Sequence, residues 1–333
     1  MCLTFYNTDL REHINHIFLM GYGVKMKLVT TTADLTEYYE NKSVAAPIEG
    51  IVQTGFRHID LSMYHVIYRG SPWIASGDGW KKEIEDSEKA ARKCKVDFCQ
   101  AHSPDGEHFK PGEARDALIR ATKRSIEACA MLNIPCTVIH ASAVKGESRE
   151  KFIKENIDFF RLFEEEANRF GVQLLVENTA AAWNPEYYLW TGKDMADFVE
   201  TAGLDYLHIC WDIGHGNVQG CNQYDDIMAM GKELKAIHLQ DNYGDCDTHV
   251  MPMSGTTNFD KVIRGLIDSG YEGCFTFEGS NTIRRGHSWP KSRRDITSDD
   301  RLTNVPLAIQ QKQISVMYEI GKWMLEQYNI PVE

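Results

Sequence analysis

Residues 206–215 read "YLHICWDIGH", an apolar run that ends in an aspartate and, three residues later, a histidine. The run predicts a buried β-strand, and the glycine that follows predicts a turn at its carboxyl end. Asp212 and His215 would then project from that end, where both side chains are able to bind a cation. Aspartate and glycine are also common turn formers, so this pair alone does not separate a metal site from a polar turn.

Seven other segments resemble this strand, and helical patterns with apolar residues at i, i+3 and i+4 separate them. The predicted strands are 27–31, 56–62, 96–102, 136–142, 172–178, 206–212, 234–241 and 273–279. Eight β-then-α units with nearly continuous apolar strands predict an α/β protein with a (β/α)8 TIM barrel. No GxGxxG motif follows the first strand, which disfavours a doubly wound sheet, and "GHGNVQG" after the sixth strand has a different spacing.

The chain has no internal repeat or low-complexity linker and is predicted to form one domain. Residues 1–25 are weakly patterned and are predicted to be a short N-terminal appendage. The barrel is predicted to occupy residues 26–333, with a C-terminal helical extension at "PLAIQQKQISVMYEIGKWMLEQY" (306–328).

Composition narrows the function classes. The net charge of −12 disfavours binding to nucleic acid and to anionic membranes. No apolar run is long enough to cross a bilayer, and the N-terminal residues lack the pattern of a signal peptide. Nine cysteines without a CxxC pair indicate reduced thiols, so we expect a cytoplasmic protein.

The predicted strand ends carry the strongest functional signal. Six consecutive strands finish in a residue that is able to bind a metal, and catalytic residues of TIM barrels lie at these carboxyl ends. The residues are His102, His140, Glu177, Asp212 with His215, His238 with Asp241, and Glu278, and the seventh loop adds Asp247 and His249. This repetition predicts that Asp212 belongs to a metal site. Carboxylates combined with imidazole suit Mn²⁺, Mg²⁺ or Co²⁺.

The order of these motifs resembles the xylose-isomerase-like barrels, which include sugar epimerases, inosose dehydratases and the endonuclease IV group. The resemblance covers roughly residues 26–282 and depends on "LLVENT", "WDIGH", "IHLQDN" with "DTHVMPMSGTTNFDKV", and "GYEGCFTFEGS". By the resemblance, four residues hold one divalent metal, most simply Mn²⁺: Glu177, Asp212, His238 and Glu278. Tagatose-type epimerases carry an arginine six residues after the metal histidine, where this chain has Gly244.

The resemblance implies a sugar isomerase or epimerase that removes a proton next to a carbonyl through a metal-stabilised enediolate. Glu177 and Glu278 would act as acid and base. The remaining pocket residues are predicted to bind the substrate, a small sugar or glycoside: His102, His215, Trp73, Asp247 and His249. Trp73 belongs to the aromatic-rich loop 63–80, whose composition suits equally a cover over the sugar and packing over the rim of the barrel.

Two other enzyme functions remain open, and a non-catalytic sugar-binding or assembly barrel is a further alternative that the intact acid and base glutamates disfavour. The same enolate chemistry serves the alpha subunits of C-glycoside deglycosidases, which cleave 3-oxo C-glycosides with a small β-rich partner subunit. In that case His140 becomes a candidate base. The third possibility is a phosphodiesterase of the endonuclease IV type, whose larger three-zinc ligand set has a matching residue here at every position. We also expect the chain to form an oligomer.

Overall fold

The computed structural model describes residues 25–39, 43–182, 185–283, 301–302 and 305–333. The residues predicted to form an N-terminal appendage lie outside this part, apart from Lys25. Eight parallel strands close into a barrel in sequence order. They are β1 (Leu28–Thr31), β2 (His58–Ser62), β3 (Asp97–His102), β4 (Cys136–Ile139), β5 (Gln173–Glu177), β6 (Leu207–Asp212), β7 (Leu234–Leu239) and β8 (Phe275–Phe277). The predicted TIM barrel is confirmed.

Helices connect the strands on the outside of the barrel. They are α1 (Ala33–Thr36), α2 (Ala46–Val52), α3 (Lys81–Cys94), α4 (Glu113–Met131), α5 (Arg149–Arg161), α6 (Glu164–Phe170), α7 (Gly192–Ala202), α8 (Ile213–Gln219), α9 (Gln223–Met230), α10 (Phe259–Asp268) and α11 (Leu307–Gln327). Short 3₁₀ turns at 231–233 and 280–283 precede β7 and follow β8.

Local sequence signals set the ends of these helices. Ser148 caps α5 by accepting a hydrogen bond from the Lys151 amide. Thr191 and Asp194 form a reciprocal capping box at the start of α7. Gly171 ends α6 in the left-handed conformation, as its position after a charged helical segment predicts. The continuous helical pattern of 149–171 does not reveal the break between α5 and α6.

The C-terminal helix α11 follows β8 and supplies the helix of the eighth unit. It approaches the barrel closely at Gly321, where an added Cβ would lie 2.5 Å from the Phe277 ring and 3.2 Å from a Leu28 methyl group. A backbone bridge between Met26 and Val332 then joins the segment after α11 to the start of the barrel. The helix predicted as an extension therefore packs on both β8 and β1.

The barrel interior is a packed core, and one buried cluster within it comes from four successive strands, β4 to β7. Five buried side chains form this inner cluster: Cys136, Val138, Leu175, Cys210 and Ala236. No disulfide joins the cysteines of the described residues. Among the same residues, no helix is both long and apolar enough to span a membrane.

Candidate metal centre and active site

Glu177 lies at the centre of a cavity of about 440 Å³ at the carboxyl ends of the strands, here called the mouth. One carboxylate oxygen lies 3.0 Å from His140 Nε2 and 3.5 Å from His102 Nε2. The other lies 3.1 Å from His238 Nδ1. Burial alone would raise the pKa of Glu177, but the facing histidines outweigh burial and hold that pKa well below its usual range. Glu177 is therefore an ionised carboxylate surrounded by imidazoles.

Asp212 ends β6 and also caps α8, the short helix that replaces the loop predicted for "GHGNVQG". Its Oδ1 accepts a hydrogen bond from the His215 amide at 2.6 Å and another from Gln240 at 3.3 Å. Its Oδ2 is buried and has no hydrogen-bond partner. Burial raises the pKa of Asp212 to about 6. An unpaired, buried carboxylate oxygen is costly, which fits a group that binds a cation.

Gly214 of "WDIGH" is required by packing. A Cβ at this position would lie 2.0 Å from the side-chain amide carbon of Gln240. That amide donates hydrogen bonds to both Asp212 and Asp247. Any larger residue at 214 would displace Gln240 and so disturb both carboxylates.

His238 connects the two glutamates that the sequence predicts as acid and base. Its Nδ1 lies 3.1 Å from Glu177 and 3.6 Å from Glu278 Oε2. Its Nε2 contacts the Gln100 side chain at 3.1 Å, and Gln100 in turn accepts a hydrogen bond from Thr276. This chain of contacts fixes the orientation of the His238 ring. The structure thus brings all four predicted metal residues together around His238 and Glu177.

Asp60 is a site residue that the sequence analysis missed. It is fully buried on β2, and potential ligand atoms of Asp60, His238 and Glu278 lie within 4.8 Å of one another. Neither carboxylate oxygen of Asp60 has a hydrogen-bond partner. Burial raises its pKa to about 6. The available signal was an aspartate between the apolar residues Ile59 and Leu61 of the predicted strand "FRHIDLS", since such a residue must face the barrel interior or pair with another group.

The Asp60→Asn variant tests whether this carboxylate is unpaired in the metal-free protein. The folded pKa lies above the unfolded one, so folding favours the protonated form. The contribution of Asp60 to the free energy of unfolding therefore falls by about 3 kcal/mol as pH rises from roughly 4 to 7. We expect Asp60→Asn to remove that loss, measured by urea unfolding of chelator-treated protein across this pH range. Exposed Asp205→Asn serves as the control, and parallel pH profiles for Asp60→Asn and the parent chain would contradict the assignment.

The remaining predicted residues form two groups beside the central one. His102 and His140 contact each other at 3.2 Å between their Nε2 atoms, and both face Glu177. On the other side, His215 Nε2 and His249 Nε2 lie 3.4 and 3.0 Å from Asp247 Oδ2. Potential ligand atoms of Asp212, His215 and His249 also lie within 4.8 Å of one another. The mouth therefore offers three adjoining sets of donors that could hold metal ions.

The structure does not bring Trp73 to the mouth, which corrects its predicted role in substrate binding. Trp73 is fully buried, its ring packs on Trp80 at 5.4 Å, and its Nε1 donates a hydrogen bond to Glu83. The guanidinium of Arg124 donates to main-chain oxygens of residues 72, 73, 75 and 77, which holds the loop against α4. Aromatic composition could not distinguish a loop that covers a pocket from one that packs on helices.

Tyr64, from the start of the same loop, does reach the mouth. Its ring packs edge-on against His102 and His140, with ring centres 5.1 and 5.7 Å apart. Its hydroxyl donates a hydrogen bond to Asp105 at 3.0 Å. Tyr64 therefore supplies the aromatic wall that the sequence analysis assigned to the tryptophan.

Fold and site together define a TIM barrel with a carboxylate-histidine centre at the carboxyl ends of its strands. Residues 49–297 match the family model described as "Xylose isomerase-like TIM barrel", and the chain belongs to that family. The family predicted from the sequence motifs is thereby confirmed.

The individual relatives share less than 30% sequence identity with this chain, and only over part of its length. The chain is 28% identical over 170 residues to the uncharacterized protein y4fM of Sinorhizobium fredii, covering 49% of this chain and 53% of y4fM. It is 26% identical over 147 residues to a probable endonuclease 4 of Citrifermentans bemidjiense, covering 40% of this chain and 50% of that protein. The chain thus spans about half the length of the curated relatives it matches.

Solved structures resemble the whole barrel. A D-tagatose 3-epimerase-like protein superposes with a TM-score of 0.66 at 18% identity, covering 91% of this chain and 98% of that one. The 3-keto-D-glucoside 4-epimerase YcjR from E. coli superposes with a TM-score of 0.64 at 17% identity, covering 89% and 100%. At these identities the likeness establishes the shared fold.

Proposed function

We propose that the protein is a divalent-metal-dependent sugar isomerase or epimerase that moves a proton at a carbon next to a carbonyl. One observation carries this proposal: Glu177 and Glu278, from strands separated by two others, converge on the same nitrogen of His238. Two carboxylates that come from different strands to one point are suited to remove and return a proton. The names of the structural neighbours, a D-tagatose 3-epimerase-like protein and a 3-keto-D-glucoside 4-epimerase, support a sugar as the substrate.

The residues present fit a divalent cation. Glu177, Asp212, His238 and Glu278 offer three kinds of donor side chain, mostly hard oxygens, which favours Mn²⁺ and also suits Mg²⁺ or Co²⁺. The buried Oδ2 of Asp212, which has no hydrogen-bond partner, is the clearest sign of a ligand position. When bound, the cation supplies positive charge that stabilises negative charge developing on the substrate oxygens.

The side chains of the mouth then remove and return the proton of the carbon next to the carbonyl. Glu177 is held ionised by its histidine neighbours, as a group that accepts the carbon-bound proton must be. Its Oε2 lies 3.0 Å from His140 Nε2, and the His140 side chain is 28% exposed. His140 therefore provides a route for that proton to solvent. Glu278 returns a proton on the opposite face in an epimerase, or at the adjacent carbon in an isomerase.

Hydrogen exchange tests the proposal directly. In D₂O, the parent protein with Mn²⁺ is expected to place deuterium at the carbon next to the carbonyl of a free ketohexose or a 3-oxo-glucoside. NMR of the recovered sugar would measure this exchange. An epimer identifies epimerisation, whereas release of the group at C1 from a 3-oxo C-glycoside identifies the lyase alternative and calls for a search for a small partner subunit. Absence of exchange across the whole panel would refute the proposal.

A phosphodiesterase of the endonuclease IV type is the second candidate. The observation in its favour is the complete set of three adjoining donor groups, together with similarity to a probable endonuclease 4 over part of the chain. The net charge of −12 weighs against binding to a DNA backbone. Incision of duplex DNA containing an abasic site, together with no deuterium uptake by any sugar, would favour this candidate instead.

A further inference from the structure

A second group of potential metal ligands lies at the opposite end of the barrel from the mouth. His58 and Asp97 begin β2 and β3, Cys99 follows Asp97 on the same strand, and Cys274 immediately precedes β8. Ligand atoms of His58, Asp97 and Cys99 lie within 4.8 Å of one another. A cavity of about 670 Å³ opens next to them and is lined in part by Asp97, Cys99 and Cys274. We call these four residues the amino-end cluster.

We propose that the amino-end cluster is a binding site for a thiophilic divalent cation such as Zn²⁺, held by His58, Asp97, Cys99 and Cys274. Two sulfurs, one imidazole nitrogen and one carboxylate oxygen form a tetrahedral donor set of the kind that zinc favours. Such a set places neighbouring donor atoms about 3.5 Å apart. His58 Nδ1 and Asp97 Oδ1, now 2.5 Å apart, would separate around the ion, and the two thiols would move toward it.

The hydrogen bonds of His58 direct its Nδ1 atom toward the other residues of the cluster. Its Nδ1 lies 2.5 Å from Asp97 Oδ1, while its Nε2 lies 3.1 Å from the main-chain oxygen of Glu333. Nε2–H donation to a main-chain oxygen leaves Nδ1 to bind the ion, which is the usual arrangement behind a metal-binding histidine. In the metal-free protein a proton occupies the position between Nδ1 and Asp97, and the cation would replace it.

The two thiols complete the cluster. Cys99 Sγ lies 3.9 Å from Asp97 Oδ2, and the thiol interacts with both Cys274 and His58. A bound cation would displace the protons of both thiols. Both are partly buried, which leaves access from the neighbouring cavity.

Charge balance supports this assignment. Two thiolates and one carboxylate carry three negative charges, and a divalent ion neutralises two of them. Lys27 supplies the third positive charge, since its Nζ lies 3.0 Å from Asp97 Oδ2, the oxygen that faces away from His58. The loaded cluster would therefore be neutral, which limits the cost of its partial burial.

Cobalt distinguishes this site from the mouth, because the four residues proposed to hold the mouth ion include no cysteine. With Co²⁺ and a non-thiol reductant, the parent protein is expected to show a sulfur-to-cobalt charge-transfer band in the near ultraviolet. Cys99→Ser and Cys274→Ser should each lose most of this band, and Cys246→Ser should keep it. X-ray absorption at the cobalt edge of the parent protein should show sulfur ligands, and this measurement does not depend on the folding of a variant.

Three results would overturn the proposal. They are a parent protein without the sulfur band, a band that survives both cysteine variants, and cobalt surrounded by nitrogen and oxygen alone. These outcomes are independent of sugar turnover, so they leave the function proposed for the mouth untouched.

Discussion

Glu177→Gln is expected to lower turnover by at least about 10³-fold while the protein still folds, because glutamine keeps the size of the side chain but not its basicity. Glu177 is central to the mouth, since its two oxygens face His140, His102 and His238. The substitution removes the proposed proton acceptor and one of the proposed metal-binding oxygens together. Steady-state kinetics on the best substrate of the deuterium panel would measure the loss, and circular dichroism would check the fold.

Exposed Glu165→Gln on α6 is the matched control and should retain the activity of the parent chain. Deuterium uptake must fail along with turnover in Glu177→Gln, because both depend on removal of the same proton. A Glu177→Gln protein that turns over at the parent rate would sink the acid–base assignment. Normal exchange without product would place Glu177 after proton removal and transfer the role of base to Glu278.

Removal of divalent metal is expected to reduce activity about 10²- to 10³-fold, with the best recovery from Mn²⁺ or Co²⁺. The sugar-enzyme proposal expects about one ion in the mouth, bound by a mostly oxygen set. Elemental analysis after dialysis would count the ions, and the Cys99→Ser protein should be counted in parallel to exclude the amino-end cluster. Unchanged activity after complete metal removal would contradict metal dependence.

His215→Gln separates a one-ion mouth from a three-ion mouth. His215 contacts Asp247, but it is not one of the four residues predicted to hold the single ion. With one ion, the count should stay the same in this variant and the effect should fall on substrate affinity. With three ions, the count should fall by about one, as expected for the phosphodiesterase candidate.

The barrel was predictable because its strands are nearly continuous apolar segments, each ending in a polar residue that the core cannot absorb. Glu177, Asp212 and Glu278 are informative for this reason: a carboxylate at the end of a buried strand must find a charge, a metal or water. Their common position along successive strands then implies that they meet, since parallel strands share one carboxyl edge. The contact of both glutamates with His238 fulfils that expectation.

Other features depended on three-dimensional packing that the pattern does not record. Asp60 lies within its strand and not at its end, so a prediction based on strand ends does not include it. Trp73 lies in a loop whose aromatic composition suits substrate binding. The position of that loop is set by hydrogen bonds from Arg124, which lies far away in sequence on α4. The glycines of α8 lower its helix propensity, so the sequence predicts a turn there. Its N-terminal cap and its packing nevertheless make this segment a helix.

Asp212 uses its two oxygens for different purposes: one closes the first turn of α8, and the other is left unpaired at the mouth. The closing bond spans only three residues, so the short peptide itself sets much of the direction of the carboxylate, and Gln240 adds a second hydrogen bond to the same oxygen. Such a segment is a portable module. Grafted after a strand of another parallel barrel that leaves room beside Gly214, "WDIGH" should bring a correctly aimed oxygen with it, which gives designers a ready starting point for new metal centres.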